Sequence, residues 1–251
     1  MNEPQIIYED ENFLALNKPV GILVHPVGAN GEEKTLANWL IEKYPEIKNV
    51  GDSPEIRPAF GEARSIERPG IVHRLDKNTS GVMVAAKNQK AFDYFKNLFK
   101  TKEIKKIYLA LVLGEVRPGE GVINKSIKLK DGSVKRTVWE GKDEKEAITK
   151  YKVIDYLKIK TQKGGHFFSL LEVSPKTGRT HQIRVHMASI GHPIVGDLLY
   201  GPKKNNFGLK RQFLHAQSIE FTDMSGKRMK IEADLPDDLK GFLRNLVPDG
   251  Q

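Results

Sequence analysis

At 251 residues, with 39% hydrophobic and 29% charged side chains, the chain is long enough to bury a substantial core and too apolar to stay largely disordered. It holds no cysteine, which excludes disulfides and thiolate metal sites, and no apolar run reaches membrane-spanning length. A formal net charge of +9 points to a polyanionic partner, although lysine-rich surfaces also occur without one.

The first residues, Met1-Asn2-Glu3-Pro4, lack the basic and then apolar pattern of a secretory leader. With the missing cysteines, this makes the cytoplasm the expected location. Residues 6–8 and 13–16 flank Glu9-Asp10-Glu11-Asn12, which predicts two short strands joined by a tight connection. Thr35 is placed to cap a helix over 36–44, with Leu36, Trp39, Leu40 and Lys43 on one face and Pro45 as its stop. From 46 to 69, Pro54, Pro58 and Pro69 amid glycine and charge predict a long surface insertion.

Residues 82–86 predict a buried strand, and Asn88 caps a helix whose Ala91, Phe92, Phe95, Leu98 and Phe99 recur at helical spacing. Those aromatics read as core, not as a platform for bases. Over 104–116 a long strand sets Tyr108 on the face opposite Ile107 and Leu109. A mostly antiparallel meander follows at 122–129, 134–139, 147–159 and 167–173, with Asp131-Gly132 and Gly164-Gly165 as turns. Residues 178–190 predict a helix, 192–197 a loop, 213–221 and 228–233 strands, and the stretch after Pro236 a short helix. Lys96, Lys100, Lys102, Lys105 and Lys106, and separately Lys203, Lys204, Lys210 and Arg211, are expected to flank a groove.

Chemistry concentrates at 70–81, Gly-Ile-Val-His-Arg-Leu-Asp-Lys-Asn-Thr-Ser-Gly, where Asp76 stands at a strand-to-loop edge. Asp76 either caps the turn or is a reactive carboxylate, and these residues alone leave both readings open. A calcium loop is excluded because its twelfth position, which needs a glutamate, is Lys87. His181 and His186 are five apart, a spacing that suits neither one helix face nor one strand face as metal ligands. Thr79-Ser80-Gly81 lacks the turn of a serine hydrolase, and the glycines of 114–121 lack phosphate-loop spacing. In 176–187, Lys-Thr-Gly-Arg-Thr-His-Gln-Ile-Arg-Val-His-Met, a helix from 178 places Arg184 on a face with Thr180 and Ala188, either solvated or turned to a site.

The 70–81 stretch resembles the active-site signature of the RluA-type pseudouridine synthases. Residues 16–26, Leu-Asn-Lys-Pro-Val-Gly-Ile-Leu-Val-His-Pro, are similar to that family's N-terminal motif. Tyr108 within 105–110 resembles its tyrosine motif and 178–186 its arginine motif, while 193–197 and 214–216 fit as well. Coverage runs from about Ile6 to the last helix. The resemblance implies isomerisation of uridine to pseudouridine in structured rRNA or tRNA, with no cofactor and no metal.

On that resemblance, Asp76 is the catalytic carboxylate, attacking C1′ or taking a proton from C2′ to give a glycal. Arg184 is the arginine that pairs with it, and Tyr108 the residue that packs on the uracil. Arg74 supports flipping of the base, and His73, Lys18 and Thr180 are expected to contact the RNA or the uridine. The implied fold is α+β, one catalytic domain over 1–251 with a mostly antiparallel central sheet, flanking helices and loops, and a basic cleft containing Asp76. The chain begins at this domain without the small N-terminal RNA-binding module of many relatives, so the catalytic domain is expected to grip RNA itself. The expected state is a monomer with no obligatory protein partner and no membrane. A non-catalytic RNA-binding or RNA-folding protein on the same scaffold is the alternative reading, and base removal with release of uracil is a third.

Overall fold

The computed structural model describes residues 3–26, 34–52, 68–133, 135–161, 164–202 and 207–248. The chain divides into two units, Met1–Ile104 with Ile219–Ala233 and Lys105–Ser218 with Asp234–Gln251.

In the first unit β1 (Gln5–Glu9) and β2 (Phe13–Lys18) form the predicted hairpin, closed by Asp10, whose carboxylate accepts the backbone N–H groups of Asn12 and Phe13. Thr35 caps α1 (Leu36–Lys43) as its sequence requires: its hydroxyl accepts from the Asn38 N–H, and the Asn38 side chain accepts in return from Thr35 N–H. The expected surface insertion begins differently, as a 3-10 turn at Pro45–Asn49 that buries Ile47 completely. Of that insertion, 53–67 lie outside the described residues. Next, β3 (Ser80–Ala86) pairs antiparallel with β2, and α2 (Gln89–Lys100) starts where the Asn88 side chain accepts from Ala91 N–H. Phe13, Val84, Phe95, Leu98 and Phe221 close this unit's core, so the α2 aromatics are packing residues.

The second unit is built on β4 (Lys105–Leu113), followed by β5 (Glu120–Asn124), then a small three-stranded sheet of β6 (Ile127–Leu129), β7 (Arg136–Thr137) and β8 (Lys142–Lys145). Two long strands follow, β9 (Ile148–Thr161) and β10 (Gly164–Pro175), which pair with each other along their length, while β10 also pairs with β4. Of the expected strand at 134–139, Val134 lies outside the described residues and Arg136–Thr137 form β7, the chain bending at Val138 and Trp139. Gly164 and Gly165 already belong to β10, and the turn residues 162–163 lie outside the described residues.

The expected helix at 178–190 begins only at Gln182, as α3 (Gln182–Ser189). His181 takes left-handed φ/ψ of 56° and 19°, so 178–181 form a loop and Thr180 is not on Arg184's helix face. The division between the units falls within β11 (Leu214–Thr222), which β12 (Arg228–Glu232) pairs, and the chain ends with α4 (Asp237–Arg244) and β13 (Val247–Pro248). The result is α+β with mostly antiparallel strands. No described helix is long and apolar enough to cross a membrane.

Candidate active site

Within the first unit the 70–81 loop is fixed at its entrance by Gly70. With φ at 63°, a Cβ there would lie 2.2 Å from the Ala86 carbonyl oxygen, so only glycine permits the backbone pairing of Ala86 N–H with Gly70 O at 2.9 Å. His73 accepts the Val84 N–H at Nε2 (2.9 Å) and packs its ring 4.8 Å from Phe99. Accepting at Nε2 leaves the ring neutral with its proton on Nδ1. Arg74 is exposed, with Nη1 3.5 Å from Nε2 of the buried His25, whose Nδ1 donates to Pro26 O.

Leu75 anchors the loop in the interior, and Asp76 follows, half-buried, its carbonyl accepting the Thr79 N–H in the turn that opens β3. Behind that turn stands Lys18, completely buried, whose ammonium donates to the carbonyls of Pro19 (2.8 Å), Ile22 (2.9 Å) and Lys77 (3.1 Å). Gly21 N–H adds a bond to the same Lys77 oxygen. A buried cation is tolerable only when its donors are satisfied, and here carbonyl dipoles satisfy them. Lys18 and His73, both expected against RNA or uridine, are instead placed with these polar atoms committed to backbone. They brace the two ends of the loop that carries Asp76.

Within the second unit Tyr108 lies half-buried on β4 opposite Val173 of β10. Arg184, on α3, is almost wholly buried and grips Asp197 with two bonds, Nε to Oδ2 at 2.7 Å and Nη2 to Oδ1 at 2.9 Å. Burial pushes the Asp197 carboxyl up, but Arg184 and the N–H groups of Leu199 and Tyr200 outweigh it and hold the group below its ordinary range. Gly196 sets that carboxylate in place: at φ 76°, a Cβ would lie 2.1 Å from Arg211 O. Tyr200 completes the cluster, its ring 5.2 Å from the Arg184 guanidinium and its hydroxyl 2.9 Å from His181 Nδ1.

Gln182 organises the loop ahead of α3. Its Oε1 accepts from Thr177 Oγ1 (2.7 Å) and Arg179 N–H (3.0 Å), and its Nε2 donates to Ile148 O and Thr149 Oγ1. Thr180 sits half-buried in the turn so formed. His186 is fully buried between Thr149 Oγ1 (2.8 Å) and Lys125 O (2.9 Å), and burial lowers its pKa, which keeps it a neutral structural residue. Lys106, two positions before Tyr108, has its pKa pushed down to about 8 by burial and by the nearby Lys176. Of the expected groove cations, Arg211 is instead buried in a two-bond pair with Asp238, and Lys203 and Lys204 lie outside the described residues.

The structure therefore brings Lys18, His73 and Arg74 to the Asp76 loop in one unit, and holds Tyr108, Thr180 and Arg184 in the other. Sequence reasoning missed Asp197 as the carboxylate gripped by Arg184 and missed Tyr200 altogether. The only available signal was that Asp197 closes a segment already matched to the RluA-type pattern.

Residues 12–189 match the model of a family described as RNA pseudouridylate synthase. An uncharacterized RNA pseudouridine synthase of Chloroflexus aurantiacus is 39% identical over 233 residues, covering 92% of this chain and 65% of that protein, so the chain spans slightly less than two thirds of it. A Buchnera aphidicola protein named ribosomal large subunit pseudouridine synthase D is 38% identical over 251 residues, covering 94% of this chain and 71% of that protein. Among solved structures, human RNA pseudouridylate synthase domain containing 1 shares the fold, with a TM-score of 0.74 at 24% identity over 98% of this chain and 89% of that one.

Proposed function

Because the chain belongs to the RNA pseudouridylate synthase family, we propose that it isomerises uridines of large-subunit rRNA to pseudouridine, with Asp76 as the reacting carboxylate. The reaction breaks the bond from N1 to C1′, turns the uracil while it is held, joins C5 to C1′ and moves the C5 proton to N1, so atoms balance without a co-reactant. Asp76 acts on the ribose, at C1′ as nucleophile or at C2′ as base. What supports this is the bracing of its loop: a reacting group must be held within a fraction of an ångström, and Lys18 and His73 lock the backbone on both sides of it.

Arg184 supplies positive charge to the reacting centre, and its grip by Asp197 fixes the guanidinium before substrate arrives. Tyr108 packs against the uracil and takes part in removing the C5 proton. Arg74, exposed beside Asp76, fills the space left by the uridine once it is drawn from its stack. Selection of rRNA over tRNA rests on the name of the Buchnera relative. Cytoplasmic location and a monomeric state complete the reading. Mapping pseudouridine across total RNA from cells with and without the gene tests it. Sites lost from large-subunit rRNA support the reading, loss confined to tRNA overturns its substrate, and an unchanged map overturns the activity.

A further inference from the structure

We propose that the small sheet of β6, β7 and β8 is a second RNA contact, where an unpaired base of the substrate stacks on Trp139 and a neighbouring phosphate is taken by Arg136. The proposal deepens the RNA reading and rests on it.

The sheet has an inner and an outer side. Ile127, Ala147 and Val185 are buried together, with Val138 and Tyr200 packed on them, so the module is seated on the helix that carries Arg184. The next residue after Val138 goes the other way: Trp139 is 68% exposed, while the chain's other tryptophan, Trp39, is 9% exposed. What sets Trp139 apart from the chain's other exposed apolar side chains is a flat aromatic face presented to solvent with a cation against it, the kind of surface on which an unstacked base rests. The bend that presents it is built. Trp139 N–H donates to Thr137 Oγ1 at 3.1 Å, and at Gly141 a Cβ would lie 2.4 Å from Leu129 O, so the chain turns back only with glycine there.

The electrostatics suit nucleic acid. Lys125 holds its ammonium 5.4 Å from the Trp139 ring centre, and donates to Ser189 O at the end of α3. Lys128 and Lys142 are matched by Glu144 and Asp131, whereas neither Lys125 nor Arg136 meets a carboxylate among the described residues. Arg136 is half-buried, its Nε enclosed and without a hydrogen-bond partner among the described residues, so a phosphate oxygen would meet the remainder of its guanidinium. Its backbone N–H is fixed by Tyr200 Oη at 2.9 Å, the same tyrosine that lies against Arg184. An aromatic face beside a cation, with an arginine three residues earlier in the chain whose Nε lacks an acceptor among the described residues, is the pairing used to hold single-stranded RNA.

The test uses a short oligouridylate at low salt and the whole chain. Comparing wild type with Trp139→Phe isolates the emission of the exposed ring without disturbing the buried Trp39. The expected result is quenching of that emission on binding, an affinity at least about five-fold weaker in Trp139→Ala, and partial retention in Trp139→Phe. Arg136→Gln should lower the slope of log affinity against log salt by about 0.7, the share of one phosphate on a single strand. Unfolding midpoints for Trp139→Ala, an exposed site, separate binding from folding. Unquenched emission with full-strength binding by Trp139→Ala overturns the contact and leaves the enzyme reading intact, and no binding at low salt overturns it too. Stacking with no pseudouridine formed on any RNA sinks the enzyme reading instead.

Discussion

Lys18 shows why a residue's type and neighbours do not settle its work. A lysine in a motif that resembles one of an RNA-modifying family looks like an RNA contact, yet here three carbonyls accept from its ammonium. Replacing it by methionine keeps the volume and strands those carbonyls, so Lys18→Met should destabilise the protein by about 3 kcal/mol, read as a lower urea midpoint at unchanged m value. Pseudouridine formation should fall with it. Lys106 offers a second check. Its folded value of about 8 lies below the 10.5 of a free lysine, so between those values the unfolded chain binds the extra proton. Carrying the charged form inside the fold therefore costs stability below about pH 8, and the cost fades as pH rises toward 10.5. Reductively methylated protein, with the Lys106 resonance assigned through Lys106→Arg, should show a dimethyl-lysine titration near 8, and an ordinary lysine value would contradict the burial.

At the level of elements, local pattern was enough where neighbours in sequence set the structure. The Thr35 and Asn88 caps, the alternating strand at Lys105–Leu113 and the helix after Pro236 all form where side-chain period and capping chemistry place them. The α3 start did not yield to that reasoning. Nothing in Gly178-Arg179-Thr180-His181 forbids a helix strongly, and the force that holds it open comes from Gln182 reaching Ile148 and Thr149, over thirty residues earlier. The same limit hid the Lys18 bond to Lys77, 59 residues apart, and the Arg184 grip on Asp197. Gln182→Leu should release the 177–181 loop, costing about 2 kcal/mol in urea unfolding and reducing catalysis more than thermal stability alone explains. Rescue of activity by Gln182→Glu at low pH, where the side chain regains a proton donor, would separate positioning from bulk folding.

Across the whole molecule, the site residues marked by the RluA resemblance lie in two units, each with its own core and each bracing its own portion: backbone carbonyls and N–H groups for the Asp76 loop, an ion pair and an amide network for Arg184. On the proposed function, the surplus of nine positive charges would make RNA affinity fall as salt rises, and would draw RNA without choosing a uridine. Chemistry is assigned to one carboxylate. The most direct measurement of that claim is pseudouridine yield on a large-subunit rRNA transcript, read by carbodiimide-blocked primer extension, for wild type and Asp76→Asn, with RNA binding followed in parallel by filter retention. Asp76→Asn is predicted to bind RNA with affinity near that of wild type and to lose activity by about a thousand-fold or more. Full pseudouridine yield from Asp76→Asn, or release of free uracil by the wild type in place of isomerisation, would contradict it.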